Sequence, residues 1–279
     1  MEKYPRINVL VLNWNGKKIL DDCLKSILQS TYKNYIITVI DNGSLDDSIE
    51  GVDKISDKIK IIKINENIGY SRGYNHAFKK LKKDNDDFYF LLNNDTTIDK
   101  NTIMSLYNSV KKFGSNTIFS PKIINSNDNS VWYAGGKLSP VSGLSYHVGI
   151  NSHENNVEYK NSVTDFVSGC AMLINKSKVN LLGGFNESFN FYYEDIDLCL
   201  RAKNNNMKCV FVNNSIVYHK ISNSMGGRFS PLKNYYKLIS SVKFLYFNNN
   251  FFIFIIYLLI NIILFPFRLF FKILSLLIS

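Results

Sequence analysis

Four apolar runs that each stop abruptly in a polar or glycine-bearing tip constrain this chain more than anything else in it. Ile7 to Leu12 runs into Asn13, Trp14, Asn15 and Gly16, and Ile36 to Ile40 stops at Asp41. Ile59 to Ile64 runs into Asn65, Glu66, Asn67 and Gly69, and Phe88 to Leu92 surfaces as Asn93, Asn94 and Asp95. Helix-compatible segments separate the runs. That rhythm predicts an α/β fold, a mostly parallel sheet with helical crossovers whose polar tips gather along one edge. Ligands of such sheets bind beyond the carboxyl ends of the strands. A carboxylate displayed there suits a hard divalent cation, which in turn suits a diphosphate. One such tip alone is equally well an Asn/Asp turn after a core strand; four gathered tips make a site.

At 279 residues the chain exceeds a minimal domain, so a core with an appendage is expected. The five prolines and 15 glycines form no linker-like stretch, and MEKYPR leads into the first strand without a secretory-signal pattern. Cys23, Cys170, Cys199 and Cys209 lack CxxC spacing, which predicts buried free thiols in a reducing compartment and argues against a zinc site.

The charge is lopsided. No Asp or Glu follows Asp197, whereas Arg201, Lys203, Lys208, Lys220, Arg228, Lys233, Lys237, Lys243, Arg268 and Lys272 all do. The formal net charge of +10 therefore sits entirely in the last third. Such a balance suits nucleic acid or an anionic lipid surface, and the tail favours lipid. Residues 251–279 read FFIFIIYLLINIILFPFRLFFKILSLLIS. On a helix, Tyr257, Asn261, Arg268, Lys272, Ser275 and Ser279 fall within about 60° of one another, with Pro266 opposite and placed to kink it. A narrow polar stripe suits a helix lying in the membrane interface with its Arg and Lys snorkelling; a single span is the alternative. The expected organisation is a catalytic domain over 1–225, a basic connecting segment over 226–250 and a membrane-associating helix over 251–279, with the protein on the cytoplasmic face of the cell membrane.

A second cluster, GGFNESFNFYYEDIDLCLRA, spans Gly183 to Ala202. Glu194, Asp195 and Asp197 fit the first turn of a helix, where carboxylates meet free N–H groups and the favourable end of the dipole. Acidic helix starts are common for structural reasons alone. Three carboxylates after an aromatic stretch, however, also suit a partly desolvated general base acting on an alcohol. The strand KCVFVNNSIVYHK brings His219 to its end; by itself that histidine reads as packed or solvated.

The runs VLNWNG, VIDNGSLDDS, NENIGYSRGYNHA, LLNND, DFVSGCAMLINKS and GGFNESF through YYEDIDLCLRA to VYHK occur in this order and spacing over residues 5–222. Together they resemble the inverting family 2 glycosyltransferases of the GT-A fold, and among these the rhamnosyltransferase-type members that build bacterial and archaeal surface polysaccharides. The resemblance implies that Trp14 and Asp41 contact the nucleotide base. It implies that Asn67, Gly69 and Arg72 lie under the nucleotide and its phosphates. Asn93, Asn94 and Asp95 stand where the family has its DxD motif, with Asn in place of the first Asp. Asp95 and His219 would then hold a divalent cation, Mg²⁺ or Mn²⁺, Asp195 would be the catalytic base, and Glu194 would contact the acceptor. The donor would be dTDP-rhamnose or a UDP-sugar, and the acceptor a saccharide, in all expectation lipid-linked.

Other activities leave marks that can be checked. A processive synthase of this superfamily would carry QxxRW, yet the only glutamine is Gln29. A nucleotidyltransferase would show a Gly-rich, Arg-bearing loop after the first strand, and NWNGKK is not one. A catalytically inactive, membrane-bound binding scaffold has no need of Asp41, Asp95 and Asp195 together. A nucleic-acid binder would need basic and aromatic residues on one folded face, whereas here many basic residues lead into the apolar tail.

Overall fold

The computed structural model describes residues 4–248 except 18, 140–142, 154–158, 190 and 221–230, and in the tail residues 255, 256, 259, 260, 262–264 and 266. The chain opens with β1 (Ile7–Asn13), α1 (Leu20–Leu28), β2 (Tyr35–Asn42), β3 (Ile59–Ile64), α2 (Tyr70–Lys80) and β4 (Phe88–Asn93). Then come β5 (Thr96–Ile98), α3 (Thr102–Phe113), β6 (Thr117–Asn125), β7 (Val131–Tyr133), β8 (Gly136–Leu138) and β9 (Ser145–His147). The last third holds β10 (Ser162–Thr164), β11 (Ala171–Asn175), α4 (Lys176–Leu182), α5 (Glu194–Asn204), β12 (Lys208–His219) and α6 (Pro231–Asn248).

The main sheet runs β10-β12-β6-β11-β4-β1-β2-β3, with β5 paired to β12 and β7 to β6. The four expected strands form its parallel half: β1 pairs in parallel with both β2 and β4, and β2 with β3. Burial on both faces explains their unbroken apolar runs, for INVLVLN and FYFLLN are buried nearly throughout. The other half is mixed. β6 and β12 run parallel, while β11 is inserted antiparallel between β4 and β6. Helices cover the sheet through narrow apolar stripes. In α1 the buried residues are Leu20, Cys23, Leu24 and Ile27, a spacing of three and four that places them on one face. Helix α4 is set by its ends: Asn175 caps it by accepting from Ser177 N at 2.8 Å, and Gly183 closes it at φ 73°. All four cysteines are free and buried, as their spacing implies.

Two consequences matter for function. First, parallel register brings the strand ends to one edge: Asn13 lies opposite Asp41, Leu12 opposite Asn93 and Asn42 opposite Ile64. β11 runs the other way, so the loop before it returns to that same edge. Second, α6, lying within the segment read from sequence as connecting, packs on the loop that precedes α5. Phe244 and Leu245 are buried. Ser240 Oγ donates to Phe191 O at 2.6 Å, Lys243 Nζ to Ser188 O at 3.0 Å, and the Phe244 and Tyr193 rings lie 5.5 Å apart.

Among the described residues no helix is long and apolar enough to cross a membrane. The polar stripe expected at Tyr257, Asn261, Arg268, Lys272, Ser275 and Ser279 lies outside the described residues. Of the apolar tail, Ile255, Ile256, Leu259, Ile260, Ile262, Ile263 and Leu264 are exposed.

Candidate active site

The tips of β1, β2 and β3 interlock through their own amides. Asn13 Nδ2 donates to Ser48 Oγ at 2.9 Å, and its Oδ1 accepts from Asn94 Nδ2 at 2.8 Å. Gly16 allows this approach, since a Cβ there would sit 2.1 Å from Asn13 Oδ1 and 2.7 Å from Asn94 Nδ2. Buried Asp41 accepts from Ser44 N at 3.2 Å. Asn42 joins the next tip: its Nδ2 donates to Asn67 Oδ1 at 3.0 Å and its Oδ1 accepts from Ile68 N at 3.2 Å. Gly43, at φ 72°, lets the two loops touch, because a Cβ would meet Glu66 backbone at 2.4 Å. Asn67 Oδ1 also accepts from Gly69 N at 2.9 Å, so this side chain shapes the start of α2. Trp14 stands free at the rim, 53% exposed. Arg72, in the first turn of α2, faces Glu187 at 3.7 Å and lines a cavity with Lys243 of α6.

The pairing of β5 with β12 sets His219 opposite Thr96, and Lys220 N donates to Asp95 O at 2.8 Å. His219 Nε2 thus lies 3.2 Å from Asp95 Oδ1, with both side chains largely buried. Burial alone would lower the His219 pKa; the adjacent Cys170 sulfur and the Asp95 carboxylate outweigh it and raise it well above the usual value. Apart from this pairing, Asp95 Oδ1 and His219 Nδ1 have no hydrogen-bond partner among the described residues. A buried carboxylate oxygen with spare capacity fits one face of a divalent cation, and the His219 ring would join it by giving up its proton as the cation arrives. Among the described residues no three His, Cys, Asp or Glu groups surround a point. The remaining positions would therefore fall to water and to phosphate oxygens, the usual pattern for Mg²⁺ beside a diphosphate.

Asp195 lies across the same edge. Its Oδ2 accepts from Gly169 N at 2.9 Å and its Oδ1 from Ile196 N at 2.8 Å. Tyr70 OH in turn donates to Gly169 O at 2.6 Å, and a Cβ on Gly169 would sit 2.8 Å from that hydroxyl oxygen. Burial raises the Asp195 pKa above the ordinary carboxylate value, opposed by those N–H donors. Glu194 is pushed further, to about 8, by burial and then by the Asp195 charge. Its Oε2 is buried without a hydrogen-bond partner among the described residues. Asp195, held by two N–H groups, is thus the member that ionises first.

The three acids grouped by sequence separate here. Asp197 is buried and accepts from Arg201 Nε at 2.7 Å, while Arg201 also donates to Leu182 O and Gly184 O. It is a structural tie between α5 and the end of α4. Tyr192 and Tyr193, just ahead of the pair, sit at φ 66° and 70°. That left-handed conformation costs an L residue roughly 1–2 kcal/mol. Tyr193 is secured by donating from OH to Gly143 O at 2.9 Å and by Phe244. Sequence reasoning did not single out Tyr70, Gly169 or α6. The only signal for the first two was their presence inside NENIGYSRG and DFVSGC.

The family model described as "Glycosyl transferase family 2" matches residues 8–181. The low-salt glycan biosynthesis hexosyltransferase Agl10 of Haloferax volcanii is 27% identical over 202 residues, 72% of this chain and 62% of that protein. Rhamnosyltransferase WbbL of Escherichia coli is 27% identical over 199 residues, covering 65% of this chain and 72% of that one. The N-acetylglucosaminyl-diphospho-decaprenol L-rhamnosyltransferase of Mycobacterium tuberculosis is 20% identical over 237 residues, covering 78% and 77%. Among solved structures, GalNAc-T7 with UDP, GalNAc and Mn²⁺ superposes with a TM-score of 0.65 at 18% identity, over 78% of this chain and 44% of that one. TarS 1-349 of S. aureus in complex with UDP gives 0.57 at 17%, over 78% and 61%. At such identities the likeness is one of fold, and the chain spans less than two thirds of the Haloferax relative and of both structures.

Proposed function

Because this chain belongs to glycosyl transferase family 2 and is built on a GT-A-like α/β sheet, we propose that it is a glycosyltransferase that moves a hexose or deoxyhexose, with inversion, from a nucleoside-diphosphate sugar to a hydroxyl of a lipid-linked saccharide. dTDP-rhamnose and UDP-sugars are the donors in view, and cell-surface polysaccharide is the product class. The observation that carries this reading is Asp195, clamped by two backbone N–H groups on the same edge as the Asp95–His219 pair.

The donor lies along the interlocked tips. Trp14, exposed at the rim, stacks on the base, and Asp41 accepts a hydrogen bond from it. The loop shaped by Asn67 and Gly69 supports the nucleotide, and Asn93 and Asn94 line its diphosphate side. Asp95 and His219 would hold Mg²⁺ or Mn²⁺, which when bound neutralises the charge that grows on the departing diphosphate. Asp195 accepts the acceptor hydroxyl proton while that oxygen bonds to the anomeric carbon. The bond from that carbon to the phosphate oxygen breaks on the opposite face, and its electron pair leaves with the nucleoside diphosphate. A carboxylate whose pKa is raised by burial is a stronger base than one in water, which suits proton removal from an alcohol. Glu194, neutral at pH 7, can donate a hydrogen bond to the acceptor beside it.

Attachment to the cytoplasmic membrane surface completes the reading. It is supported by the exposed apolar residues of the tail and by the absence of any acidic residue after Asp197. Domain limits at 225 and 250 belong to the same proposal. The test is nucleoside-diphosphate release from a panel of sugar nucleotides, with and without Mn²⁺ or Mg²⁺, on protein in mild detergent. Cation-dependent turnover of one donor is the expected result. Cation-dependent nucleotide binding with no turnover of any donor would instead mark a binding scaffold.

A further inference from the structure

Two adjoining cavities run along α6. The inner one, of about 340 Å³, is lined by Asn67 to Arg72, Glu187, Phe189, Phe191 and Tyr236. Tyr70 in its wall donates to Gly169 O, and the Gly169 N–H holds Asp195, so a two-bond relay ties this wall to that carboxylate. The outer one, of about 600 Å³, shares Arg72 and Glu187 with it and continues to Val242, Lys243, Tyr246 and Phe247.

Charge and shape narrow what this cleft can take. Arg72 enters from the first turn of α2 and Lys243 from α6, two cations on opposite walls against the single carboxylate of Glu187. Glu187 is already engaged, its Oε1 accepting from Asn75 Nδ2 at 2.9 Å. Its contact with Arg72 is long, at 3.7 Å, and both side chains are about half exposed, so the guanidinium is poorly neutralised and can turn to another anion. Aromatic rings line both cavities, Tyr70, Phe189, Phe191 and Tyr236 the inner one and Tyr246 and Phe247 the outer one. Tyr246 and Phe247 are exposed at the outer end, near the last residues of α6 and just before the apolar tail. A ligand matching this order has a hydroxyl-bearing head at Asp195, an anionic middle and an apolar end.

We propose that this cleft is the acceptor channel, with Arg72 and Lys243 clasping the diphosphate of a polyprenyl-diphosphate-linked saccharide. The inference rests on the lipid-linked acceptor of the preceding section and adds its site. It also moves Arg72 from the donor side, where resemblance alone put it, to the acceptor side. The saccharide lies in the inner cavity against Tyr70, its reacting hydroxyl at Asp195. The diphosphate sits between α2 and α6, where guanidinium and ammonium give charge-assisted hydrogen bonds. The first isoprene units run out over Tyr246 and Phe247. The donor diphosphate is accounted for separately, at Asp95 and His219, and the Asn67–Gly69 loop, which also lines the inner cavity, stands between the two substrates.

Farnesyl diphosphate serves as a probe for the acceptor's anionic and apolar parts. Its binding to the full chain in mild detergent is measured by calorimetry without divalent cations, then again with UDP and Mn²⁺ present. Lys243→Glu and Arg72→Gln, on opposite walls, are each expected to weaken it about tenfold or more, and farnesol, lacking the diphosphate, to bind as weakly to wild type as to either variant. UDP with Mn²⁺ should not displace the probe. Binding unchanged in both variants, or displacement by UDP, would overturn the channel while leaving a lipid-linked acceptor standing. No binding to wild type at all would overturn both.

Discussion

Along the tips of β1, β2 and β3 the polar side chains are paired with one another, whereas around the reacting centre several buried atoms have no such partner. Asn13, Asp41, Asn42 and Asn67 close a net of amide and backbone contacts that only glycine at 16 and 43 allows. Against that stand His219 Nδ1 and Glu194 Oε2, unpartnered among the described residues, and the two left-handed tyrosines that lead into Glu194. A satisfied net holds its shape without a ligand, which suits recognition of a nucleotide. Unsatisfied buried atoms and strained backbone are costly, and persist where substrate groups complete them. On the proposed reading, one region binds and the other reacts.

The largest expected effect tests whether α5 is anchored independently of its chemistry. Asp197→Ala leaves Arg201 without its carboxylate and should cost about 3 kcal/mol of stability, read from urea unfolding. An equally unstable Asp195→Asn would mean that the acids are one structural unit after all. Next, Gly169→Ala forces the Tyr70 hydroxyl away from the Gly169 backbone that positions Asp195. It should lower kcat about tenfold or more with donor KM little changed. Gly16→Ala is its counterpart on the binding side: it disrupts Asn13 and Asn94 and should raise donor KM more than it lowers kcat. An identical kinetic signature for the two alanines would erase the division between regions.

The smallest effect is one of pH. Glu194 is held at about 8, above the ordinary 4.5, so the folded chain keeps a proton that the unfolded chain gives up. That contribution is full below about pH 4.5 and is lost as pH rises through about 8. Glu194→Gln should therefore gain in Tm relative to wild type between about pH 5 and pH 8, by a few degrees. A Tm difference that stays flat across that range would show Glu194 ionised throughout.

The binding half was the more legible in sequence, and for a physical reason. Strand tips are local features, so four apolar runs located Asn13, Asp41, Asn67 and Asp95 on one edge before any tertiary contact was known. The reacting half depends on contacts between distant segments. His219 reaches Asp95 only because short β5 pairs with β12, and Asp195 is placed by Gly169, which no periodicity marks. Asp195 and Asp197 look alike in a helix's first turn and differ only in what packs on them. α6 was hidden for another reason. Its Lys-rich, aromatic sequence without acids reads as a basic connector, and only packing on Phe189, Phe191 and Tyr193 shows it to be part of the folded domain.

The most direct test of the central division is to measure nucleoside-diphosphate binding with Mn²⁺ and sugar transfer, side by side, in Asp195→Asn and Asp95→Asn. Asp195→Asn should keep nucleotide affinity within a few-fold of wild type and lose roughly 10²- to 10⁴-fold in transfer, while Asp95→Asn loses Mn²⁺-dependent nucleotide affinity as well. Transfer retained in Asp195→Asn, or nucleotide binding lost equally in both variants, would contradict it.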